Sequence, residues 1–161
     1  MRWRTEDWHT AGEPFRIVEG VPTHGATVAE RRMEAMDGDA DAIRRYLCLE
    51  PRGHDDMYGG FLTPADDDDA DFGVLFWRKD GFSTACGHGT MALGTWAVRN
   101  GLVDAPDDGE AVVTIDVPSG RVQARVQRAG GRTTGVVFRN VASRVLERGI
   151  LVHDRRRIPA E

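Results

Sequence analysis

The sequence predicts an α+β fold in which several strands curl around one buried helix, and three observations predict it. Residues 90–98 are almost wholly apolar, which is typical of a helix buried on nearly every side. Residues 112–117, 122–126 and 135–141 are rich in β-branched side chains and are separated by glycine-containing turns, a pattern that indicates a strand meander. Residues 72–77 form a dense apolar run, which indicates a buried strand.

Shorter apolar segments predict the remaining elements. Residues 15–18 and 61–63 indicate strands, because each is a brief apolar run closed by proline or glycine. Residues 28–47 carry apolar side chains at helical spacing and predict a helix that is broken or bent near residues 37–39. An Asp-Gly turn leads into a predicted strand at residues 82–84.

The acidic run at residues 66–69 raises the question of a calcium site. It lacks the glycine and the distal glutamate of an EF-hand loop. A solvated turn between two strands is the favoured interpretation, so the sequence predicts no metal site here.

Composition narrows the class of protein. The 161 residues suffice for one domain, predicted to span residues 1–161, and the formal net charge of -5 does not favour nucleic acid as a partner. No stretch is apolar and long enough to span a membrane, and the N-terminus lacks the apolar core of a signal peptide. We therefore expect a cytoplasmic protein with reduced thiols.

The segment at residues 84–90 carries the most chemical information. Cys86 lies between a predicted strand and the predicted buried helix, so we expect it at or just before a helix N-terminus. Free amide groups and the helix dipole favour an anion there, which predicts a lowered thiol pKa and a populated thiolate. Gly87 and Gly89 would let the backbone approach a ligand closely, and the same amides can accept a carboxylate.

A thiolate beside a carboxylate-binding set of amides is suited to removing the α-proton of an amino acid. His88 is a further donor that would stabilise charge developing on the substrate carboxylate. Such a reaction requires no cofactor and no metal.

Other interpretations of Cys86 stay open at this point. It could be a packed cysteine in a glycine-rich turn, the nucleophile of a Cys/His hydrolase dyad, or one ligand of a zinc site. The dyad is disfavoured because Cys86 and His88 are so close in sequence, and the zinc site because no second paired cluster is evident. The other cysteine, Cys48, lies among apolar residues and is predicted to belong to the core.

Four segments resemble motifs of the proline racemase family, which includes the hydroxyproline epimerases. They read HTAGEPFRIV at residues 9–18, EPRGHDDMYG at residues 50–59, ADFGV at residues 70–74 and CGHGT at residues 86–90. Their order is that of the family, and the resemblance covers about residues 9–141. One departure is Ala85, where the family usually has methionine.

The resemblance implies a fold similar to diaminopimelate epimerase, with two pseudo-symmetric lobes and the active site between them. Each lobe is a mostly antiparallel, curled sheet around a central helix, and this chain resembles the N-terminal lobe. Cys86 corresponds to the first of two catalytic cysteines. Gly87, His88 and Gly89 correspond to the carboxylate-binding segment, and Tyr58 to an aromatic residue that flanks the substrate ring.

The implied function is a cofactor-independent isomerase of amino-acid metabolism that acts on a small imino acid, proline or hydroxyproline. Residues 72–106 also resemble the trans-3-hydroxyproline dehydratase branch, so a lyase is an alternative. His9, Glu13 and His54 recur in the motifs without an assigned step. Because the second lobe is expected to be absent, the chain would need a complementing lobe or a homodimer, or would be a non-catalytic remnant.

Overall fold

A computed structural model describes residues 3–143 and residue 145 of the chain. The predicted domain of residues 1–161 therefore extends beyond the described residues at both ends. Within the described part the elements, in chain order, are β1 (Arg4–Thr10), β2 (Glu13–Glu19), α1 (Val28–Asp37), α2 (Asp39–Cys48), β3 (Gly59–Thr63), β4 (Phe72–Arg78), β5 (Gly81–Phe82), α3 (Gly87–Arg99), β6 (Gly109–Val117), β7 (Gly120–Ala129) and β8 (Arg132–Arg139). The predicted α+β class is confirmed.

All of these strands belong to one mixed sheet with the order β1-β2-β3-β4-β6-β7-β8, and the short β5 pairs with β4. Most neighbours are antiparallel, but β2 pairs with β3 and β4 pairs with β6 in parallel. Parallel neighbours require a crossover connection. The helices α1 and α2 lie in the first connection, between β2 and β3, and α3 lies in the second, between β4 and β6.

Strand β4 is apolar at nearly every position because both faces of the sheet are covered. Val74 and Phe76 belong to a core cluster that also contains residues of α3, whereas Leu75 and Trp77 belong to a second cluster that contains residues of α1 and α2. We call these the α3 core and the α1–α2 core. The alternation of side chains along a strand thus sends neighbouring residues of β4 into different cores.

Helix α3 contacts β1, β2, β6, β7 and β8, which include the strands at both ends of the sheet order. The sheet therefore curls around the helix. Seven residues of α3 are buried, including Leu93 and Trp96. Met91, Thr95 and Val98 are only half-buried and Arg99 is exposed, so the helix keeps a more accessible side than an all-round apolar helix would.

The predicted break within residues 28–47 is confirmed. Helix α1 ends at Asp37 and α2 begins at Asp39, with Gly38 in an extended conformation between them. The side chain of Thr27 caps α1 by accepting a hydrogen bond from the Glu30 amide at 3.2 Å.

The acidic run at residues 66–69 stabilises the fold through a hydrogen bond and ion pairs. Asp66 accepts a hydrogen bond from the first amide of α1, Val28 N, at 2.6 Å, and its carboxylate lies 3.6 Å from Arg31. Asp67 pairs with Arg121. Among the residues that the structure describes, no group of three or more His, Cys, Asp or Glu side chains is arranged to hold a metal ion.

No helix in the described part of the chain combines the length and the apolar character that a membrane crossing requires.

Strand β1 was not predicted from the sequence. Its residues are mostly charged or polar, so the sequence lacks the alternation of apolar residues that indicates a strand. None of these residues is fully buried. Pairing supplies the missing stability, because β1 and β2 form a continuous antiparallel hairpin from Arg4 opposite Glu19 to Thr10 opposite Glu13.

Arg16 of β2 links this hairpin to the end of α2 and to the loop that precedes β3. Its guanidinium forms two hydrogen bonds with Asp7, at 2.6 and 2.7 Å, and donates to the carbonyls of Leu47 and Arg52. We expect Arg16→Lys to lower the free energy of unfolding by about 1–2 kcal/mol, because an ammonium group cannot reproduce this planar fork. Urea denaturation measures the change. The exposed Arg4→Lys on the paired strand is the control, and an equal loss in both variants would contradict the assignment.

Candidate active site

Cys86 is the N-cap of α3, as the sequence predicts. Its sulfur accepts a hydrogen bond from the Gly89 amide at 3.3 Å, and its carbonyl accepts bonds from the Thr90 amide and hydroxyl at 3.0 and 2.7 Å. The residue is 7% exposed and belongs to the α3 core. The sulfur thus lies at the positive end of the helix, yet in largely apolar surroundings.

The expected lowering of the thiol pKa is wrong for this chain. Burial raises the pKa of Cys86 to about 12, and the Glu13 carboxylate adds to the increase. The Gly89 amide and the neighbouring Tyr58 hydroxyl act in the opposite direction but do not compensate. Loss of water around the sulfur therefore outweighs the helix N-terminus, and the thiol keeps its proton near neutral pH.

His88 lies beside the sulfur. Its Nδ1 atom is 3.3 Å from Cys86 Sγ and its Nε2 atom is 3.7 Å away. The same Nδ1 atom lies 3.3 Å from a carboxylate oxygen of Glu13. The ring also packs edge-on against Tyr58 and Phe15, with centroid distances of 5.1 and 6.0 Å, so its orientation is fixed from several sides.

Tyr58 reaches the same site from the loop before β3. Its hydroxyl forms a 2.5 Å hydrogen bond with Ser83 Oγ, and its carbonyl accepts a bond from the Arg16 amide at 2.8 Å. Burial raises the pKa of the Tyr58 hydroxyl, so it stays protonated and can donate. The aromatic position that the motifs predict is therefore adjacent to His88.

The two glycines of the site differ in their surroundings. A Cβ atom at Gly89 would lie 2.4 Å from the Phe15 ring and 3.0 Å from Cys86 Sγ, so no larger residue fits without displacing the sulfur. A Cβ atom at Gly87 would meet only the Phe138 ring, at an ordinary 3.4 Å. Gly89 therefore allows the sulfur to approach the amide that caps it.

The structure brings together all five residues predicted for the site: Tyr58, Cys86, Gly87, His88 and Gly89. Three further residues lie at the site: Thr10, Glu13 and Ser83. From the sequence, Glu13 had no assigned step, and neither Thr10 nor Ser83 was indicated. Thr10 and Glu13 belong to the first motif, which was their only signal. Ser83 had none.

Two grooves flank the site. One, of about 450 Å³, is lined by residues that include Glu13, Tyr58, Arg78 and Lys79. The other, of about 300 Å³, lies between β1 and β8 over the half-buried side of α3, where Met91 and Thr95 are exposed to it. The first groove thus adjoins Glu13 and Tyr58, which contact His88, and the second follows the side of α3 beyond its first turn.

The family described as "Proline racemase" matches residues 6–155 of the chain. This chain belongs to the proline racemase family.

Curated members of the proline racemase family are nearly half identical to this chain over the aligned residues. Trans-L-3-hydroxyproline dehydratase of Xenopus tropicalis is 47% identical over 137 residues, which cover 84% of this chain and 39% of that protein. A 3-hydroxyproline 2-epimerase of Burkholderia multivorans is 45% identical over 149 residues, which cover 92% of this chain and 44% of that protein. The family relatives are thus isomerases and dehydratases, and this chain spans about two fifths of their length.

Solved structures agree with this membership. A hydroxyproline epimerase from Agrobacterium vitis, with bound trans-4-hydroxy-L-proline, superimposes with a TM-score of 0.77 at 28% identity, covering 83% of this chain and 40% of that one. A probable proline racemase from Agrobacterium radiobacter, with bound carbonate, gives a TM-score of 0.74 at 32% identity, covering 80% and 38%. The predicted proline racemase fold is therefore confirmed.

Proposed function

We propose that this chain supplies the Cys86 side of a cofactor-independent racemase or epimerase that acts on proline or hydroxyproline. The observation that carries the proposal is the position of the Cys86 sulfur, which lies at the first turn of α3 and 3.3 Å from both the Gly89 amide and His88 Nδ1. A substrate carboxylate bound at the first turn of the same helix would bring its α-carbon close to this sulfur.

In this proposal the Cys86 thiolate removes the α-proton and becomes a thiol. The electron pair of the broken C–H bond moves into the substrate carboxylate, where the backbone amides and His88 stabilise the added charge. A proton delivered to the opposite face of the α-carbon completes the inversion. The high pKa of Cys86 keeps the thiolate scarce in the empty site, but makes it a stronger base once formed.

The proposed inversion needs a second acid/base group on the other face of the substrate. The groove lined by Glu13 and Tyr58, both of which contact His88, leaves room for a further protein surface. We propose that a second lobe, or a second copy of the chain, contributes this group.

A dehydratase is the second candidate, and it is favoured by the 47% identity with the Xenopus tropicalis enzyme. In that reaction the Cys86 thiolate would take the α-proton of a 3-hydroxyproline. The electron pair would form a carbon–carbon double bond as the 3-hydroxyl leaves as hydroxide. The hydroxide would then take the proton that Cys86 gained, which releases water and restores the thiolate. One base suffices for this route, so a second cysteine is not needed.

Incubation with L-proline, trans-4-hydroxy-L-proline and trans-3-hydroxy-L-proline in deuterated water tests the proposal. We expect slow incorporation of deuterium at the α-carbon, because a single base can exchange the proton on one face. Cys86→Ser should lower the rate at least about 100-fold, since it removes the base. Cys48→Ala is the matched control, because that thiol is buried in the α1–α2 core and forms no contact with the site.

Each outcome bears on the proposal. Exchange that persists in Cys86→Ser would show that another group is the base. Loss of the hydroxyl from trans-3-hydroxy-L-proline would favour the dehydratase. Absence of exchange with all three imino acids would overturn catalysis by this chain on its own and favour a non-catalytic assembly domain.

A further inference from the structure

The turn of the β1–β2 hairpin lies directly against the first turn of α3. Thr10 Oγ1 donates a hydrogen bond to the carbonyl of His88 at 2.9 Å. The turn itself is tightly constrained, because Ala11 and Gly12 both have positive φ and His9 Nδ1 accepts a hydrogen bond from the Gly12 amide at 3.2 Å. The shape of this turn fixes where the next residue, Glu13, is placed.

Glu13 and Cys86 both contact His88. His88 Nδ1 lies 3.3 Å from the Glu13 carboxylate and 3.3 Å from the Cys86 sulfur. The histidine side chain is only 13% exposed, whereas that of Glu13 is 61% exposed. The carboxylate therefore approaches the buried imidazole from the solvent side, without being needed to fill the core.

The Glu13 carboxylate can affect the ionisation of Cys86 in two opposite ways. A carboxylate near a thiol opposes its ionisation, and Glu13 does raise the pKa of Cys86. When His88 Nδ1–H is donated to Glu13, the Nε2 atom, 3.7 Å from the sulfur, is left to accept the thiol proton. The same carboxylate therefore favours the thiolate when it acts through His88. The Gly89 amide and the Tyr58 hydroxyl also face the sulfur, whereas β8 contributes the uncharged Phe138.

We infer that Glu13 is a positioning residue which acts through His88: it holds the imidazole beside the Cys86 sulfur, where the ring can accept the proton that the thiol gives up. Thr10 fixes the hairpin turn for this purpose. The inference rests on the proposed function only for its catalytic consequence, since ionisation of Cys86 is measurable without substrate.

A double-mutant cycle in the full chain tests the inference. The rate at which iodoacetamide alkylates Cys86 is measured from about pH 7 to pH 11, with modification at Cys86 and Cys48 separated by peptide mass spectrometry. Glu13→Gln is introduced alone and together with His88→Asn. We expect Glu13→Gln alone to slow alkylation about threefold to tenfold near pH 8, because His88 loses its anionic partner.

Glu13→Gln should have the opposite effect on the alkylation rate when His88 is also replaced by asparagine. Without the imidazole, Glu13→Gln only removes a repulsive charge, and alkylation should become up to about threefold faster than in His88→Asn. Glu13→Asp, which keeps the charge on a shorter side chain, should fall between the original chain and Glu13→Gln. Glu19→Gln on the same strand is the matched control and should change neither background.

Two results would overturn the inference. A change of the same sign in both backgrounds would mean that Glu13 acts on the sulfur directly, and no change in either would mean that Glu13 only shapes the hairpin. Neither result depends on turnover. Deuterium exchange tests the proposed function separately, so failure of one claim leaves the other standing.

Discussion

Raising the pH from about 8 to about 12 is expected to destabilise the folded chain by about 4 kcal/mol through Cys86 alone. The thiol ionises near its ordinary value of 9.0 when unfolded, but burial raises its pKa to about 12 in the folded chain. Between these values the unfolded chain binds fewer protons than the folded one, so the free energy of unfolding falls as pH increases. Below about pH 9 this contribution is fully present.

Urea denaturation at several pH values between 8 and 11 measures this slope. Cys86→Ala should have a shallower slope at every alkaline pH, although its overall stability is also lowered by the loss of the N-cap. Part of the slope should remain, because burial also raises the pKa of Cys48 and of Tyr58. Identical slopes with and without the Cys86 thiol would contradict the raised pKa.

The second large effect is expected at Gly94, in the middle of α3. A Cβ atom there would lie 2.4 Å from the Cβ atom of Ala124 and 3.3 Å from a methyl group of Val126, both on β7. Gly94→Val would therefore force the helix away from the sheet. We expect a loss of about 3 kcal/mol in the free energy of unfolding, the upper part of the usual range for overpacked cores.

Thermal or urea denaturation of Gly94→Val, compared with Gly87→Ala, tests the close approach. The control glycine lies in the same helix, but its added methyl group meets only the Phe138 ring at 3.4 Å. The free energy of unfolding of Gly87→Ala should change by less than about 1 kcal/mol, since alanine is also the better helix former. If Gly94→Val were as mild as Gly87→Ala, α3 and β7 would not be in direct contact.

The elements that could be predicted from sequence are those whose signal is local. The apolar run of β4, the break at Gly38 and the meander of β6, β7 and β8 each follow from a pattern within a few residues. Strand β1 could not be predicted, because it is stabilised by its pairing with β2 and not by an apolar pattern. The two parallel pairings also could not be predicted from local sequence, because the packing of the crossover connections determines them.

The candidate site shows the same division. Cys86, Gly87, His88 and Gly89 are contiguous, so their placement at a helix N-terminus follows from the segment itself. The pKa of Cys86 does not, because the side chains that exclude water from the sulfur come from distant parts of the chain. Tyr58 was found only through the motif it belongs to, and its partner Ser83 depends on the fold of the intervening strands.

The packing of α3 has a consequence for how the chain matures on the ribosome. The helix needs β7, which ends at Ala129, and the neighbourhood of Cys86 includes Phe138 of β8, so neither can be completed until that part of the chain has emerged. During this interval Cys86 is an ordinary solvated thiol, more open to oxidation than in the finished domain. The time needed to synthesise β6, β7 and β8 therefore adds to the period in which the cysteine is exposed to oxidants.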